Sequence, residues 1–92
     1  MDYYSEQDRL IALLTGELPV LRAKLKISQD ELSRRIGISR QTYSLIETKK
    51  QKMTWVTFMA MIAFFENNKK TKDILNYVGL TSDAAFKALL QK

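Results

Sequence analysis

The sequence predicts an all-α protein, and three observations support that fold class. The chain has 92 residues with one Pro and three Gly, so few residues interrupt regular structure. No segment alternates apolar and polar residues between turn signals, which is the pattern of a strand. Several segments instead carry apolar residues at helical spacing behind a Ser or Thr that can cap a helix. We therefore expect a compact helical bundle.

The beginning of the chain predicts an N-terminal helix over residues 5–14. Ser5 followed by Asp8 is a variant of the capping box, and helically spaced apolar residues come after it. The Thr15–Gly16 pair is expected to end this helix. Pro19 then suits the first turn of a second helix, because the N–H that Pro lacks would be unpaired there.

The centre of the chain predicts two short helices joined by a tight turn. Ser28 opens a full capping box, so a helix is expected over Gln29–Ile36. Gly37 can adopt the positive φ that ends a helix, and Ser39 can cap the next helix, about Arg40–Thr48. The apolar residues predicted to face inward in this unit are Leu32, Ile36, Ile38, Tyr43 and Ile46.

Three more helices are predicted after a basic loop at residues 49–52. Thr54 caps the first, whose segment Trp55–Phe65 is apolar on nearly every side. Such a helix needs burial all round, so part of it is a candidate dimer interface. A polar break near residues 67–70 precedes two final helices. We expect residues 1–92 to form a single domain, with a core at 18–67 and a C-terminal helical extension at 70–91.

The composition excludes several classes of function. The chain contains no Cys and no His, so it lacks thiolate metal ligands, the commonest metal ligand and the commonest general base. We expect no enzyme activity, no metal and no cofactor. The first residues are acidic and polar, unlike a signal peptide, and no apolar run approaches the ~20 residues of a membrane span. A cytoplasmic protein without a membrane partner is expected.

The positive charge is concentrated in the middle of the chain. The formal net charge is +5 and the pI about 9.6. Between Leu18 and Met53 there are nine basic and three acidic residues, whereas the remainder has six basic and seven acidic residues. The whole positive excess therefore lies in the middle third of the chain, on and around the two short central helices, and a local concentration of basic residues favours a nucleic-acid partner.

The outward face of the second central helix carries residue types that recognise bases. Arg40 and Gln41 are at its N-terminal end, which is the end that meets base edges when such a helix enters the major groove. Arg suits the O6 and N7 atoms of guanine, and Gln suits the N6 and N7 atoms of adenine. Leu45 could meet a thymine methyl group. The alternative is that the two central helices, with a Gly between them, form an ordinary helical hairpin.

These residues together resemble the phage-repressor and Cro class of helix-turn-helix regulators, the XRE family. The resemblance covers residues 18–67, and its most specific part reads LRAKLKISQDELSRRIGISRQTYSLIETKK. It implies a five-helix DNA-binding domain and a buried ion pair between Arg22 and Glu47. Because family members commonly bind paired half-sites, it also implies a homodimer.

The resemblance implies that bases are read from the second central helix, while Gln29 and the loop after that helix bind phosphates. The DNA-binding residues predicted on both grounds are Gln29, Ser39, Arg40, Gln41, Thr42, Ser44, Leu45, Thr48, Lys49, Lys50 and Lys52. The chain departs from the family pattern at Ser33, Tyr43, the pair Thr48–Lys49 and Met53. Lys49 replaces the usual Gly, so it either adopts a left-handed conformation or the loop takes another course.

Two functions remain open at this point. The first is a sequence-specific transcriptional regulator that binds double-stranded DNA, with no small-molecule ligand. The second is a protein-interaction or antitoxin-like module that uses the same helix-turn-helix for protein contacts. The dependence of duplex binding on salt distinguishes the two, because phosphate contacts release counterions.

Overall fold

A computed structural model describes residues 5–90, and these residues form six helices with no strand. The helices are α1 (Glu6–Leu25), α2 (Gln29–Ile36), α3 (Arg40–Glu47), α4 (Trp55–Glu66), α5 (Lys69–Val78) and α6 (Ser82–Leu90). The predicted all-α class is confirmed. Among the residues described, no helix combines the length and the apolar character needed to cross a membrane.

Side-chain caps fix where the first four helices begin. Ser5, Ser28, Ser39 and Thr54 each accept a hydrogen bond from the backbone N–H three residues further on, at 3.0–3.1 Å. A cap of this kind stabilises a helix by about 1 kcal/mol, because it pairs an N–H that the helix itself leaves free. These four starts are those that the sequence predicts.

The predicted break at Gly16 does not exist. The N-terminal helix expected over 5–14 and the helix after it are one continuous helix, α1, with Pro19 inside it. Gly and Pro cost about 1 and 3 kcal/mol inside a helix. Full burial of Leu18 and of Leu21 contributes about 1.5–3 kcal/mol for each side chain, and both are completely buried. The helix therefore continues through Gly16 and Pro19, because only a helical backbone keeps Leu18 and Leu21 in the core.

The apolar stripe of α4 is mostly covered within the chain. Its buried residues are Phe58, Met61, Ile62 and Phe65. Helices α1, α2, α5 and α6 all pack against α4, which explains why its sequence is apolar on so many sides. Val56 is the one residue of α4 among the large exposed hydrophobic side chains, at 78% exposure. The surface offered by this helix for a dimer interface is therefore small.

Helix α6 packs with its small residues inward. Ala85 and Ala88 are buried, whereas Phe86, Leu89 and Leu90 are 58%, 46% and 79% exposed. The alanine face lets α6 approach α1 and α4 closely, and the large apolar side chains consequently point away from the core. The outward face of α6, formed by Phe86, Leu89 and Leu90, is called the α6 face below.

Candidate nucleic-acid interface

The two central helices, α2 and α3, are joined by a turn that Gly37 makes possible. Gly37 has φ of 91° and ψ of 28°, in the left-handed region that favours glycine. The N–H groups of Gly37 and Ile38 both donate to the carbonyl oxygen of Ser33, at 2.9 and 3.0 Å. Ser33 is itself buried, and its hydroxyl donates to the carbonyl of Asp30. Ile38 is half-buried against the core, and Ser39 begins α3 directly afterwards.

The apolar frame of this unit faces the core as the spacing predicts. Leu32, Tyr43 and Ile46 are buried, and Ile36 packs against the same cluster while half-buried. Tyr43, where the family usually has a β-branched residue, is completely buried. Its ring occupies the core while its hydroxyl reaches the polar group described next.

Glu47, the last residue of α3, accepts hydrogen bonds from three side chains. Arg22 on α1 donates from Nε and Nη2 to the two carboxylate oxygens, both at 2.9 Å. The hydroxyl of Tyr43 donates to Oε1 at 2.5 Å, and the amide nitrogen of Gln29 donates to Oε2 at 3.2 Å. The side chains of Arg22 and Glu47 are 21% and 10% exposed. This cluster therefore joins α1, α2 and α3 through one carboxylate.

The pKa values of the cluster follow from its contacts. The hydrogen bonds from Arg22 hold the pKa of the Glu47 carboxyl below its usual value, although partial burial opposes this effect. Burial raises the pKa of the Tyr43 hydroxyl, and its hydrogen bond to the Glu47 carboxylate raises it further. Tyr43 is therefore a neutral donor and Glu47 an anion at neutral pH, which is the protonation that these hydrogen bonds require.

The predicted base-reading residues lie along one side of α3, but they differ in exposure. Arg40 and Gln41 are exposed at its N-terminal end, as is Ser39 before them. Ser44 and Leu45 are half-buried, so only part of Leu45 is available to a partner. Two open hollows border this surface: one of about 470 Å³ reaches from Arg22 and Gln29 to Arg40, and one of about 370 Å³ from Gln29 to Ser44.

Three hydroxyl groups near α3 already have internal partners. The Ser39 hydroxyl donates to the hydroxyl oxygen of Thr42 at 2.9 Å. The Thr48 hydroxyl donates to the carbonyl of Ser44 at 2.8 Å. Thr42 therefore keeps its own proton for an outside acceptor, whereas the proton of Thr48 is used within the chain.

The basic loop is fixed by its backbone, while its lysine side chains are exposed. Lys49 has φ of 65°, so the left-handed conformation is the alternative that this chain adopts. The N–H groups of Lys50 and Gln51 both donate to the carbonyl of Leu45, at 2.8 and 3.1 Å. Met53, where the family usually has Pro, is 1% exposed and anchors the end of the loop in the core.

Sequence reasoning missed two polar contacts at this site. The side chain of Gln29 is held by Glu47, and the ammonium group of Lys52 is held by the carboxylate of Asp8 in the first turn of α1. Both contacts join residues far apart in sequence. The continuous helix α1 brings Asp8 to the loop. Because the sequence predicted a break in that helix at Gly16, it did not predict this contact.

Two short capped helices, a glycine turn and an exposed N-terminal face on the second helix define a helix-turn-helix. Comparison with known proteins supports that class: residues 21–54 match the helix-turn-helix family model. Residues 21–54 therefore form a DNA-binding helix-turn-helix of the XRE, or repressor and Cro, type. Searches of curated proteins and of solved structures gave no match.

Proposed function

We propose that this protein is a sequence-specific transcriptional regulator that inserts α3 into the major groove of double-stranded DNA. The observation that carries the proposal is the exposed N-terminal end of α3, with Arg40 and Gln41 beside two open hollows. An α-helix with its side chains is about 10–12 Å across, which fits a major groove about 12 Å wide. We propose no catalytic activity.

Arg40 and Gln41 are the principal base-reading residues in this proposal. Both are exposed, and both side chains can form paired hydrogen bonds, with guanine and adenine respectively. Ser44 and Leu45 are half-buried, so each offers a smaller contact surface, and these contacts lie further along the groove. Specificity therefore rests mainly on the first turn of α3.

Phosphate contacts come from both sides of α3. The backbone N–H groups at the start of α2 can bind a phosphate oxygen, and the Glu47 contact orients the side chain of Gln29 at that end. Lys49 and Lys50 supply exposed charges after α3, and Thr42 can donate its hydroxyl proton. The Thr48 hydroxyl already donates to the carbonyl of Ser44, so it would have to give up that hydrogen bond to donate to a phosphate.

Binding to duplex DNA across a salt series tests this proposal. Log K should fall linearly with log salt, with a slope of about −0.9 for each phosphate neutralised. Lys49→Gln and Lys50→Gln should each reduce the slope by about 0.9, because each removes one phosphate contact. Lys70→Gln, which removes the same charge from α5, is the control and should leave the slope unchanged. Negligible binding to every duplex at low salt would contradict the proposal and favour a protein-interaction module.

We also propose that two copies associate through the α6 face. Its three apolar side chains, Phe86, Leu89 and Leu90, are each about half exposed or more, and α6 packs mainly on α1 and α4, away from α3. The charges of α6, Asp83 and Lys87, cancel, so two copies can approach without repulsion there. Three apolar side chains are far fewer than the ~20–30 residues on each side of a standard interface, which predicts a weak dimer that DNA half-sites strengthen.

Sedimentation with and without a two-half-site duplex tests the dimer. Phe86→Glu should abolish self-association because it places a charge in the α6 face. Tyr77→Glu changes an aromatic residue on α5 that is 91% exposed, and it should have no effect. A wild-type protein that stays monomeric at high concentration and on DNA would contradict the proposed dimer.

We propose that the protein is located in the cytoplasm, because a transcriptional regulator acts where the DNA is.

A further inference from the structure

Two long-range ion pairs tie α1 to the DNA-binding unit. Arg22 binds Glu47 at the end of α3, and Asp8 binds Lys52 in the basic loop, 44 residues away in sequence. The other ion pairs among residues 5–90 join positions three or four apart within one helix. Asp8 lies outside the segment that matches the helix-turn-helix family, so it is a feature of this chain's own N-terminal extension.

We propose that Asp8 competes with DNA phosphates for the ammonium group of Lys52 and thereby sets the affinity of the basic loop for DNA. This inference rests on the proposed function. In the free protein the charge of Lys52 is neutralised by a carboxylate that is only 27% exposed. Lys52 can then bind a phosphate only after leaving Asp8, so it contributes less to DNA binding than Lys49 or Lys50 does.

The loop geometry confines this exchange to the side chain of Lys52. The backbone before Lys52 is held by the hydrogen bond from Gln51 to Leu45, and the residue after it, Met53, is buried. The Lys52 side chain is 62% exposed and is therefore not packed in place. An open hollow of about 330 Å³ separates α1 from the loop at this point, lined by Asp8 and Thr15 on one side and Lys49 on the other. A flexible ammonium group can move between the two anions without a change in fold.

The expected effect is modest and independent of DNA sequence. An exposed ion pair alters an equilibrium by about two- to fivefold. Phosphate contacts carry no sequence information, so loss of Asp8 should strengthen binding to selected and random duplexes equally. The slope of log K against log salt distinguishes this inference, because it should become steeper by about 0.9 when loss of Asp8 lets Lys52 bind a phosphate.

Duplex binding by four variants across a salt series tests the inference. Asp8→Asn should raise the affinity about two- to fivefold and steepen the slope by about 0.9, whereas Lys52→Gln alone should change the slope little. The double variant should lose the gain of Asp8→Asn. Glu6→Gln is the matched control, because it removes the same charge from the same helical turn, where Glu6 binds only the neighbouring Arg9.

Two results would overturn the inference alone: Asp8→Asn behaving like Glu6→Gln, or Lys52→Gln flattening the slope by about 0.9 in the wild-type background. Absence of duplex binding by the wild type would overturn the proposed function as well. A readout without DNA comes from the Asp8 carboxyl resonance during a pH titration. The hydrogen bond from Lys52 holds the pKa of Asp8 below its usual value, so Lys52→Gln should raise it. An Asp8 pKa that Lys52→Gln leaves unchanged would contradict the pairing.

Discussion

Glu47→Gln should strongly destabilise the protein, because one carboxylate joins three helices. The substitution keeps the size of the side chain but removes the charge that Arg22 and Tyr43 contact. Arg22, 21% exposed, would then be a largely buried cation without an anion, and the Tyr43 hydroxyl would lose a charged acceptor. Breaking a fully buried pair costs about 3–5 kcal/mol. Since this pair retains some solvent contact, we expect a loss of about 2–4 kcal/mol.

Thermal and urea unfolding, followed by circular dichroism, measure this loss. For a domain of fewer than 100 residues, 1 kcal/mol corresponds to about 4–8 °C in Tm, so Glu47→Gln should lower Tm by at least about 8 °C. Asp30→Asn is the matched control, because Asp30 pairs with Arg34 on the exposed side of α2. That exposed pair should contribute less than about 1 kcal/mol. Equal, small losses for both variants would refute the role assigned to Glu47.

The same carboxylate makes the stability depend on pH in a defined direction. Its pKa is lower in the folded state than the usual glutamate value of 4.5, so its contribution to stability is complete above that value. The contribution is lost as the pH falls through the lower folded pKa, since protonation of Glu47 breaks its charge contact with Arg22. As the pH is lowered from about 5, the free energy of unfolding of the wild type should therefore decrease, and that of Glu47→Gln should decrease less steeply.

Two other substitutions probe the local geometry. Lys49→Gly should stabilise the fold by roughly 0.5–1 kcal/mol, because glycine adopts a φ of 65° without strain. Lys50→Gly is the control and should not stabilise the fold. Equal effects of the two substitutions on urea unfolding would contradict a strained backbone at Lys49. Tyr43→Phe should cost about 0.5–1.5 kcal/mol, because it removes only the hydroxyl bonded to Glu47. A neutral result in urea unfolding would show that this hydroxyl does not support Glu47.

The sequence predicts the local parts of this fold well, because they depend on neighbouring residues. Each of the four caps from Ser5 to Thr54 involves a side chain and a backbone N–H three residues apart. The turn at Gly37 depends on the backbone freedom of one residue. Such features leave direct marks in the sequence, and the frame of the helix-turn-helix could therefore be predicted completely.

The features that were not predicted depend on tertiary packing. Gly16 and Pro19 are weak helix residues, and only the burial of leucines on both sides of Gly16 keeps α1 continuous. The outward orientation of Phe86 depends on the alanine face that α6 presents to its neighbours. The contact of Asp8 with Lys52 requires both the long α1 and the anchored loop. None of these can be read from residue spacing within a single segment.

Selection of preferred sites from a random duplex library, by the wild type and by Arg40→Ala, tests the central claim most directly. The account predicts a defined half-site for the wild type, and relaxed preference at one base position for Arg40→Ala with a loss of about 1–3 kcal/mol. Arg34→Ala, which changes an exposed arginine of α2 that pairs with Asp30, should retain the wild-type site. The account is contradicted if the wild type enriches no sequence, or if Arg40→Ala weakens binding to all sequences equally and leaves the preferred site unchanged.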